Sequence, residues 1–324
     1  MKQVEPLRAF DQIKLLADSR RMEILRLLMA TPATLTHLAR HLGQSPAWIR
    51  HHILALESAD LIEVSEVRKT GKVTEKYYRA KASAILLQEV ILPKGKKPVL
   101  VFSGSHDLAL EGIAEHLAKH VTLLSLPVGS LDGLVNLRQG LCQISGAHIL
   151  DAGGEYNTPT VRHLFPDRAM EVITLAYRTQ GLIVAAGNPK SIKSIADLPR
   201  SGVRFVNRNA GSGTRLWLDA ELHKQGVSSD AIRGYGTVVK THSEAAMLIS
   251  NGQSDVSLGL QAAAHQHRLD FIPLFEERYD LILPRENEKR FAPLFDYLQT
   301  LDFRTALHSL TGYNPAHSGE QILM

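Results

Sequence analysis

The first third of the chain is constrained most strongly by two short helical segments that flank a tight turn. Residues 35–42 carry apolar side chains at helical spacing and are followed by Gly43, a common helix terminator in the left-handed conformation. Ser45 offers a side-chain cap and Pro46 suits the first helical position, so a second helix begins here. The pattern predicts a helix–turn–helix, preceded by two further helices between residues 7 and 28.

The second helix of this pair, residues 46–57, divides into an inward and an outward face. Ile49, Ile53 and Leu56 recur at helical spacing and are predicted to point into the core. Side chains that face outward near the start of this helix occupy the positions from which a recognition helix contacts the base edges and phosphates of DNA. These outward residues are Gln44, Ser45, Trp48, Arg50, His51 and His52, and all but His52 are predicted to contact DNA.

Beyond the helix–turn–helix the hydrophobic period changes from helical to alternating. Residues 63–68 and 73–79 are predicted to form two strands joined by a glycine-containing turn, which indicates a hairpin. Arg68, Lys69 and Lys72 lie toward its tip, where their cations would contact the flanking phosphate backbone. A solvated hairpin with incidental charge is the alternative interpretation.

Charge is distributed unevenly along the chain. Residues 1–98 hold 17 Lys and Arg against 10 Asp and Glu, whereas residues 99–324 hold 20 against 23. Because Lys and Arg supply most of the affinity for DNA phosphates, this split predicts a DNA-binding head followed by a ligand-binding body.

The cysteine count and the N-terminus exclude several classes of protein. A lone cysteine, Cys142, leaves no intramolecular disulfide and no thiol pair for a soft metal, and it is predicted to be buried. The amphipathic start predicts neither a signal peptide nor a membrane span, so cytoplasmic residence is expected.

Residues 16–28, the turn at 38–45 and the hairpin together resemble the ArsR-type winged-helix repressors over nearly all of residues 7–80. The resemblance implies a homodimer that reads two half-sites of a double-stranded operator about one helical turn apart. The sequence departs from the thiol-based members because this region has no cysteine. Adjacent histidines such as His51 and His52 diverge by about 100° on a helix, so no metal site is expected.

A change in composition marks the boundary after this region. Residues 80–92 are apolar enough for a helix, and the Pro-, Gly- and Lys-rich segment 93–98 would end it. The predicted organisation is a winged helix–turn–helix domain (1–80), a helical linker (81–98) and a ligand-binding domain (99–324).

The remaining residues repeat a unit of strand, small-residue loop and helix, first seen in residues 99–120. Such alternation predicts a mostly parallel α/β sheet with ligands at the carboxyl ends of its strands. Small-residue loops before helices bring backbone N–H groups together, which favours an anion.

One loop, residues 205–215, concentrates polar chemistry after a predicted strand. Gly211 and Gly213 would let the backbone approach a ligand closely. Ser212 and Thr214 would supply hydroxyls, and Arg208 and Arg215 would supply guanidinium groups. A nucleotide-binding P-loop is excluded because no Gly-Lys-Ser/Thr follows. Arg215 pointing outward to solvent is the alternative for that side chain.

Segments 129–134, 146–157, 205–215 and 255–264 resemble the periplasmic-binding-protein-like domain found fused to molybdopterin-biosynthesis proteins and to helix–turn–helix heads. The resemblance implies a type 2 fold, α/β in class, in which two lobes close on a ligand. Its lobes are expected at about 99–178 with 280–324, and at 182–272, with crossings near 177–180 and 273–279.

Such domains imply molybdate, tungstate or a molybdenum-cofactor-related species as the effector, and no bound cofactor is expected. The predicted ligand-binding residues are Ser103, Ser105, His106, Ser130, Ser145, His148, Tyr156, Arg208, Ser212, Gly213, Thr214, Arg215 and His242. Asp107 is expected to be a helix cap. The number of polar side chains also suits a larger organic anion.

The combined expectation is a one-component transcription regulator in which a small anion controls DNA binding by a homodimer. A regulator of another organic metabolite is the alternative. An enzyme acting on a cofactor intermediate is not expected, because the sequence shows no nucleophile with an evident base. A ligand carrier is disfavoured by the basic hairpin and by Trp48 and Arg50.

Overall fold

A computed structural model describes residues 2–7, 9–70, 73–87 and 90–324. The chain divides into two units, Met1–Ile91, called here the head, and Leu92–Met324, called the ligand unit. No helix in the described ranges is both long and apolar enough to span a membrane.

The head contains the predicted helices and hairpin. Its helices are α1 (Phe10–Leu16), α2 (Ser19–Ala30), α3 (Leu35–Leu42) and α4 (Pro46–Ser58). Its strands are β1 (Lys2–Leu7), β2 (Ile62–Thr70), β3 (Val73–Ala80) and β4 (Ala82–Leu87).

Local sequence explains the turn between α3 and α4. Gly43 has φ of 63°, the left-handed conformation that glycine adopts without a steric penalty, and this ends α3. The Ser45 hydroxyl then accepts a hydrogen bond from the Trp48 backbone N–H and caps α4. Ile49, Ile53 and Leu56 are buried as predicted, so α4 is fixed against the head core.

The helix predicted for the linker is wrong. Ala82–Leu87 forms β4, which pairs in parallel with β1, so that Leu7 lies opposite Leu87. Residue 7, predicted to begin a helix, is the last residue of β1. Alanine and leucine favour helix locally, but pairing with a neighbouring strand overrides that preference.

The ligand unit alternates strands and helices. Its strands are β5 (Val99–Gly104), β6 (Thr122–Pro127), β7 (Ile144–Ala147), β8 (Met170–Val184), β9 (Phe205–Arg208), β10 (Val238–Val239), β11 (Val256–Leu260), β12 (Asp270–Pro284), β13 (Tyr313–Asn314) and β14 (Gln321–Leu323). Its helices are α5 (Ala109–Leu117), α6 (Ser130–Gln139), α7 (Thr158–Leu164), α8 (Gly213–Lys224), α9 (His242–Ser250), α10 (Gln261–Gln266), α11 (Glu288–Leu298) and α12 (Leu301–Ser309).

The strands of the ligand unit form one sheet in the order β10-β9-β11-β8-β12-β7-β5-β6. Pairing is parallel among β5, β6 and β7 at one end and among β9, β10 and β11 at the other. The long strands β8 and β12 pair antiparallel in the middle and reach both ends. We call the β5–β7 end the first lobe and the β9–β11 end the second lobe.

The C-terminal tail, residues 313–324, is tied to the central strands. Both β13 and β14 pair antiparallel with β8. The Ser318 hydroxyl also donates a hydrogen bond to the Leu175 carbonyl at 2.6 Å. The tail therefore belongs to the sheet that joins the two lobes.

Candidate functional site

A buried ionic network lies where β8 and β12 cross between the lobes. Arg178 on β8 is opposite Glu277 on β12 and forms an ion pair with it. The same guanidinium is 2.5 Å from Asp107 and lies over the Tyr279 ring at 4.2 Å. The Tyr313 hydroxyl donates to Asp107 at 2.7 Å. All of these groups are buried, and each charge has an opposite partner.

The charge states in this network follow from opposing effects. Burial acts to raise the pKa of Glu277, but Arg178 and His148 hold that pKa at about 2. Burial acts to lower the pKa of Arg178, but its two carboxylate partners hold it above the usual value. Glu277 is therefore a carboxylate and Arg178 a cation at neutral pH.

Three side chains from distant parts of the chain form a hydrogen-bonded row. The Ser105 hydroxyl lies 2.8 Å from His148 Nε2, and His148 Nδ1 lies 2.6 Å from Glu277. Burial lowers the pKa of His148, although Glu277 opposes this, so the ring is neutral. Because Glu277 accepts, Nδ1 carries the proton, and Nε2 accepts the Ser105 O–H. The expectation that no nucleophile has an evident base is wrong for Ser105.

The orientation of the Gln180 amide is fixed by its neighbours. Its Nε2 donates to Glu277 at 2.9 Å and to the Thr214 hydroxyl at 3.1 Å. An ionised carboxylate can only accept, so the amide nitrogen must face Glu277. The Gln180 Oε1 atom is consequently turned away, and within the described ranges it has no hydrogen-bond partner.

Arg208, the last residue of β9, is buried without an ion pair to any carboxylate that the structure describes. One guanidinium nitrogen, Nη2, donates to the Lys240 carbonyl at 2.8 Å. Its Nε and Nη1 have no hydrogen-bond partner among the described residues. Burial and the nearby Arg178 lower the pKa of Arg208 to about 10, so the side chain is a cation at neutral pH.

His242 begins α9 behind a capping box formed by Thr241 and Glu244. Its ring is fully buried, and neither nitrogen has a partner in the described part of the chain. Burial, with Arg208 and Arg178 nearby, lowers the pKa of His242 well below the usual value. The ring is therefore neutral, with one N–H and one bare nitrogen.

Several buried side-chain nitrogen and oxygen atoms have no hydrogen-bond partner among the described residues, and we call them the open atoms. The open atoms are Nε and Nη1 of Arg208, both ring nitrogens of His242, Oε1 of Gln180, Oγ of Ser145 and Nδ1 of His106. Burial lowers the pKa of His106, His148 and His242, and the charge of Arg208 adds to this at all three, so these three rings lie within electrostatic range of Arg208. Buried polar atoms in such numbers indicate a place for a ligand.

Several residues predicted for the ligand site join this region. Ser105, His148, Arg208, Thr214 and His242 contribute as described, and Ser145 contributes an open atom. The Ser130 hydroxyl accepts from the His148 backbone N–H at 3.2 Å, and the Ser103 hydroxyl accepts from Asn136 at 2.9 Å. Ser212 caps α8 by accepting from the Arg215 N–H.

Other predicted residues are engaged elsewhere. Arg215 forms an ion pair with Asp219 at 2.9 Å and lies over the Tyr235 ring at 3.9 Å. Tyr156 donates to the Glu276 carbonyl at 3.4 Å, but it also lines the cavity beside His148 and Glu277 that is described below. The Arg215 side chain is only 13% exposed, so it is held by Asp219 and Tyr235 and does not point outward to solvent.

Arg178, Gln180 and Glu277 were not among the residues predicted from the sequence, and Asp107 was expected chiefly as a helix cap. Asp107 does accept from the Ala109 N–H at 2.8 Å, but its other oxygen binds Arg178. A usable signal existed, because charged residues within an otherwise apolar predicted strand need buried partners. The predicted crossings contained three of these four residues.

A cavity of about 610 Å³ adjoins the ionic network. His148, Glu277 and Gly213 line it on the side of the network, and Trp217 and Phe275 line it with stacked rings 3.9 Å apart. This volume falls in the usual range of organic-ligand pockets.

The lobes touch each other at this site. Leu131 in the first lobe donates its backbone N–H to Gly211 in the second lobe at 3.1 Å. A Cβ atom on Gly213 would lie 2.4 Å from the His148 carbonyl oxygen, closer than non-bonded atoms approach. The structure is therefore a closed arrangement that requires glycine at position 213.

The head presents most of its predicted DNA-contacting residues to solvent. Gln44, Ser45, Arg50, His51 and Lys69 are exposed, and Trp48 is half-buried. Arg68 is exposed, but it forms an ion pair with Glu66 at 2.7 Å. Lys72 lies outside the described residues.

His52 is not outward as expected. It is buried and its ring centroid lies 4.2 Å from that of Trp48. It follows Ile49 by three positions and precedes Leu56 by four, which is the spacing of one helix face. Helical periodicity therefore places it inward.

The comparisons agree with the two units. Residues 18–64 match the bacterial regulatory protein, arsR family, and residues 114–299 match the PBP superfamily domain. The protein is thus an ArsR-type helix–turn–helix head joined to a periplasmic-binding-protein-like ligand unit, and the predicted fold class is confirmed. The chain belongs to the same family as YvgK of Bacillus subtilis (strain 168), with 33% identity over 304 residues, 93% of this chain and 96% of YvgK.

Solved structures with lower similarity align with the ligand unit. A Clostridium perfringens chain with bound phosphate has 14% identity and a TM-score of 0.49, over 67% of this chain and 98% of that chain. Peb3 from Campylobacter jejuni has 16% identity and a TM-score of 0.45, over 67% of this chain and 99% of Peb3.

Proposed function

We propose that this protein is a one-component transcription regulator whose ligand unit closes on a small anion. The observation that carries the proposal is Arg208, a buried cation with two open donor atoms and no described carboxylate partner. An unpaired buried charge is costly, and an anion would both neutralise it and complete its hydrogen bonds. The cost of leaving Arg208 unpaired favours closure with ligand over closure without it.

In this proposal the head binds a double-stranded operator in the cytoplasm as a homodimer. Closure of the ligand unit would change the spacing of the two α4 helices, and a coupling free energy of about 1–3 kcal/mol would suffice for control. The ligand unit acts by binding, and no catalytic step is part of this scheme.

Molybdate, tungstate and molybdenum-cofactor-related species are the proposed ligands that follow from the resemblance of the ligand unit. The cavity beside His148 and Glu277 is large enough for the alternative of a larger organic anion, but Arg208 and His242 are not among the residues that line it.

Thermal unfolding of the whole protein with molybdate, tungstate, sulfate or phosphate tests the anion site. A ligand that binds the folded state raises the unfolding midpoint by mass action, and Arg208→Gln should abolish that rise. Arg215→Gln is the matched control, because Arg215 is already paired with Asp219, and it should retain the rise. A rise that persists in Arg208→Gln and disappears in Arg215→Gln would contradict the assigned site.

The head is tested separately by binding to a short non-specific duplex at several salt concentrations. Arg50→Gln should weaken binding and reduce the salt slope by about one if Arg50 contacts a phosphate. The exposed Arg26 on α2 lies outside the predicted DNA-contacting set, so Arg26→Gln should keep the wild-type slope. Equal slopes for Arg50→Gln and the wild type would contradict the assigned DNA face.

The row Ser105, His148 and Glu277 supports a second candidate, acyl transfer. His148 would accept the Ser105 proton as Ser105 attacks a carbonyl, and Glu277 would stabilise the resulting imidazolium. The imidazolium would then return that proton to the leaving group as its bond to the carbonyl carbon breaks and the Ser105 ester forms. A serine-directed fluorophosphonate should then label the wild type and not Ser105→Ala. Absence of labelling at a reagent concentration that labels a known serine hydrolase would exclude this candidate.

A further inference from the structure

The open atoms differ in what they need from a ligand. Arg208 supplies donors, which suit the oxygen atoms of an anion. Gln180 Oε1 is an acceptor, because the amide nitrogen is held by Glu277 and Thr214. His242 is neutral and offers one of each kind. The site therefore presents acceptors as well as donors.

Ser105 adds to the acceptor side. Its proton is directed to His148 Nε2, because Nδ1 of the neutral ring donates to Glu277. The Ser105 hydroxyl oxygen then presents lone pairs rather than a proton to a ligand. In this hydrogen-bonded row the Ser105 hydroxyl is an acceptor toward a ligand and not a donor.

The charges of the neighbouring side chains also argue against a fully deprotonated dianion as the ligand. Within the described residues, Arg178 and Arg208 are the cations of the site, and the carboxylates of Glu277 and Asp107 both bind Arg178. Two cations and two carboxylates leave no excess positive charge to offset a dianion, although Arg208 keeps two donor atoms for a ligand. A fully deprotonated dianion would place oxygen lone pairs against Gln180 and Ser105 and would leave these acceptors unsatisfied.

Resting on the proposed anion site, we infer that the ligand is an anion that carries an O–H or N–H donor of its own. Its negatively charged oxygens bind Arg208, and its donor binds Gln180 Oε1 or the acceptor nitrogen of His242. A protonated oxyanion or a hydroxylated organic acid has this chemistry, whereas molybdate, tungstate and sulfate at neutral pH do not.

Two matched pairs of probes test the inference in the whole protein at pH 7. Inorganic phosphate, a mixture of monohydrogen and dihydrogen phosphate at this pH, both of which carry an O–H donor, is compared with sulfate, and lactate is compared with propionate. In each pair the two anions are similar in size and the first has the extra hydroxyl donor. Calorimetric titration should give at least about tenfold tighter binding for the donor-bearing member of any pair that binds.

Removing an acceptor should reduce this preference. Gln180→Met keeps the length of the side chain and lacks the carbonyl oxygen, so the phosphate-to-sulfate affinity ratio should fall several-fold toward one. If Gln180→Met does not fold, the same ratio is measured in His242→Met. A ratio unchanged by the variant that folds would overturn the inference.

The outcomes separate the inference from the proposed function. Sulfate or molybdate binding as tightly as phosphate, with loss of all binding in Arg208→Gln, would overturn the donor requirement and leave the anion site intact. Binding that is indifferent to Arg208→Gln, or no binding of any of these anions, would contradict the anion site itself.

Discussion

Two arginines lie fully buried in the ligand unit, and their surroundings differ in one respect. Arg178 on β8 contacts the carboxylates of Asp107 and Glu277 and the ring of Tyr279. Arg208 at the end of β9 donates a hydrogen bond to the Lys240 carbonyl. In the part of the chain that the structure describes, it forms no ion pair.

The difference shows what each arginine is for. A buried cation with two anionic partners holds its neighbours in place, and here it joins β8 to β12 and to the start of α5. A buried cation without such partners is costly to the folded protein, and this cost is removed when an anion arrives. We infer that Arg178 maintains the crossing between the lobes, whereas Arg208 is the ligand contact.

The largest expected effect on stability comes from removing Arg178, the buried arginine that is paired with two carboxylates. Arg178→Met should destabilise the ligand unit by about 3–5 kcal/mol, because Asp107 and Glu277 would remain buried without a cation. Denaturant unfolding of the full protein, followed separately for its two transitions if these resolve, measures the change. A loss below about 1 kcal/mol would show that Arg178 is not needed to hold the crossing.

The matching substitution at the other arginine should have the opposite sign. Without added anion, Arg208→Met should leave stability unchanged or raise it by up to about 3 kcal/mol, since an unpaired buried charge is replaced by an apolar chain. The same unfolding experiment checks this, and anion-dependent stabilisation should be absent. If Arg208→Met and Arg178→Met destabilise the unit equally, the contrast between the two arginines is wrong.

The smallest expected effect is a difference in pKa between two histidines near these arginines, His148 and His242. Burial lowers the pKa of both, and Arg178 and Arg208 add to this at both, but at His148 the effect is partly opposed by Glu277. His148 should therefore protonate at a higher pH than His242, which NMR titration of the ring protons measures. If His242 instead protonated at the higher pH, it would have to lie farther from Arg208 than it does in the structure.

These lowered pKa values also fix the sign of the pH dependence. Unfolded histidines bind protons below a pH of about 6.5, and the buried ones resist protonation, so stability should fall between pH 7 and pH 5. Each histidine contributes up to about 2 kcal/mol at pH 5. Glu277 adds a further loss only at lower pH, because its pKa is about 2.

Local signals were sufficient for the helix–turn–helix and the hairpin of the head and for the general form of the ligand unit. Gly43, Ser45 and Pro46 define the turn of the helix–turn–helix through backbone and capping chemistry that a few adjacent residues contain. The loop ending in Thr214 was also recognisable, because a glycine-rich segment between a strand and a helix has a local cause.

The ionic network was not predictable in the same way. Arg178 and Glu277 are 99 residues apart in sequence and meet through the register of β8 and β12. Periodicity indicates that a strand exists and not which residue lies opposite which. The strand β4 was missed for a related reason, since its partner β1 lies at the other end of the head sequence.

The closed contact at Gly213 offers a way to separate ligand binding from its consequence in the cell. The space between this residue and His148 is too small for one methyl group, so an alanine allele would keep the lobes apart while leaving the side chains around Arg208 unchanged. A strain with that allele would keep the regulator in its ligand-free state at any effector concentration. Its transcript profile would then reveal both the genes under control and whether the effector normally turns them on or off.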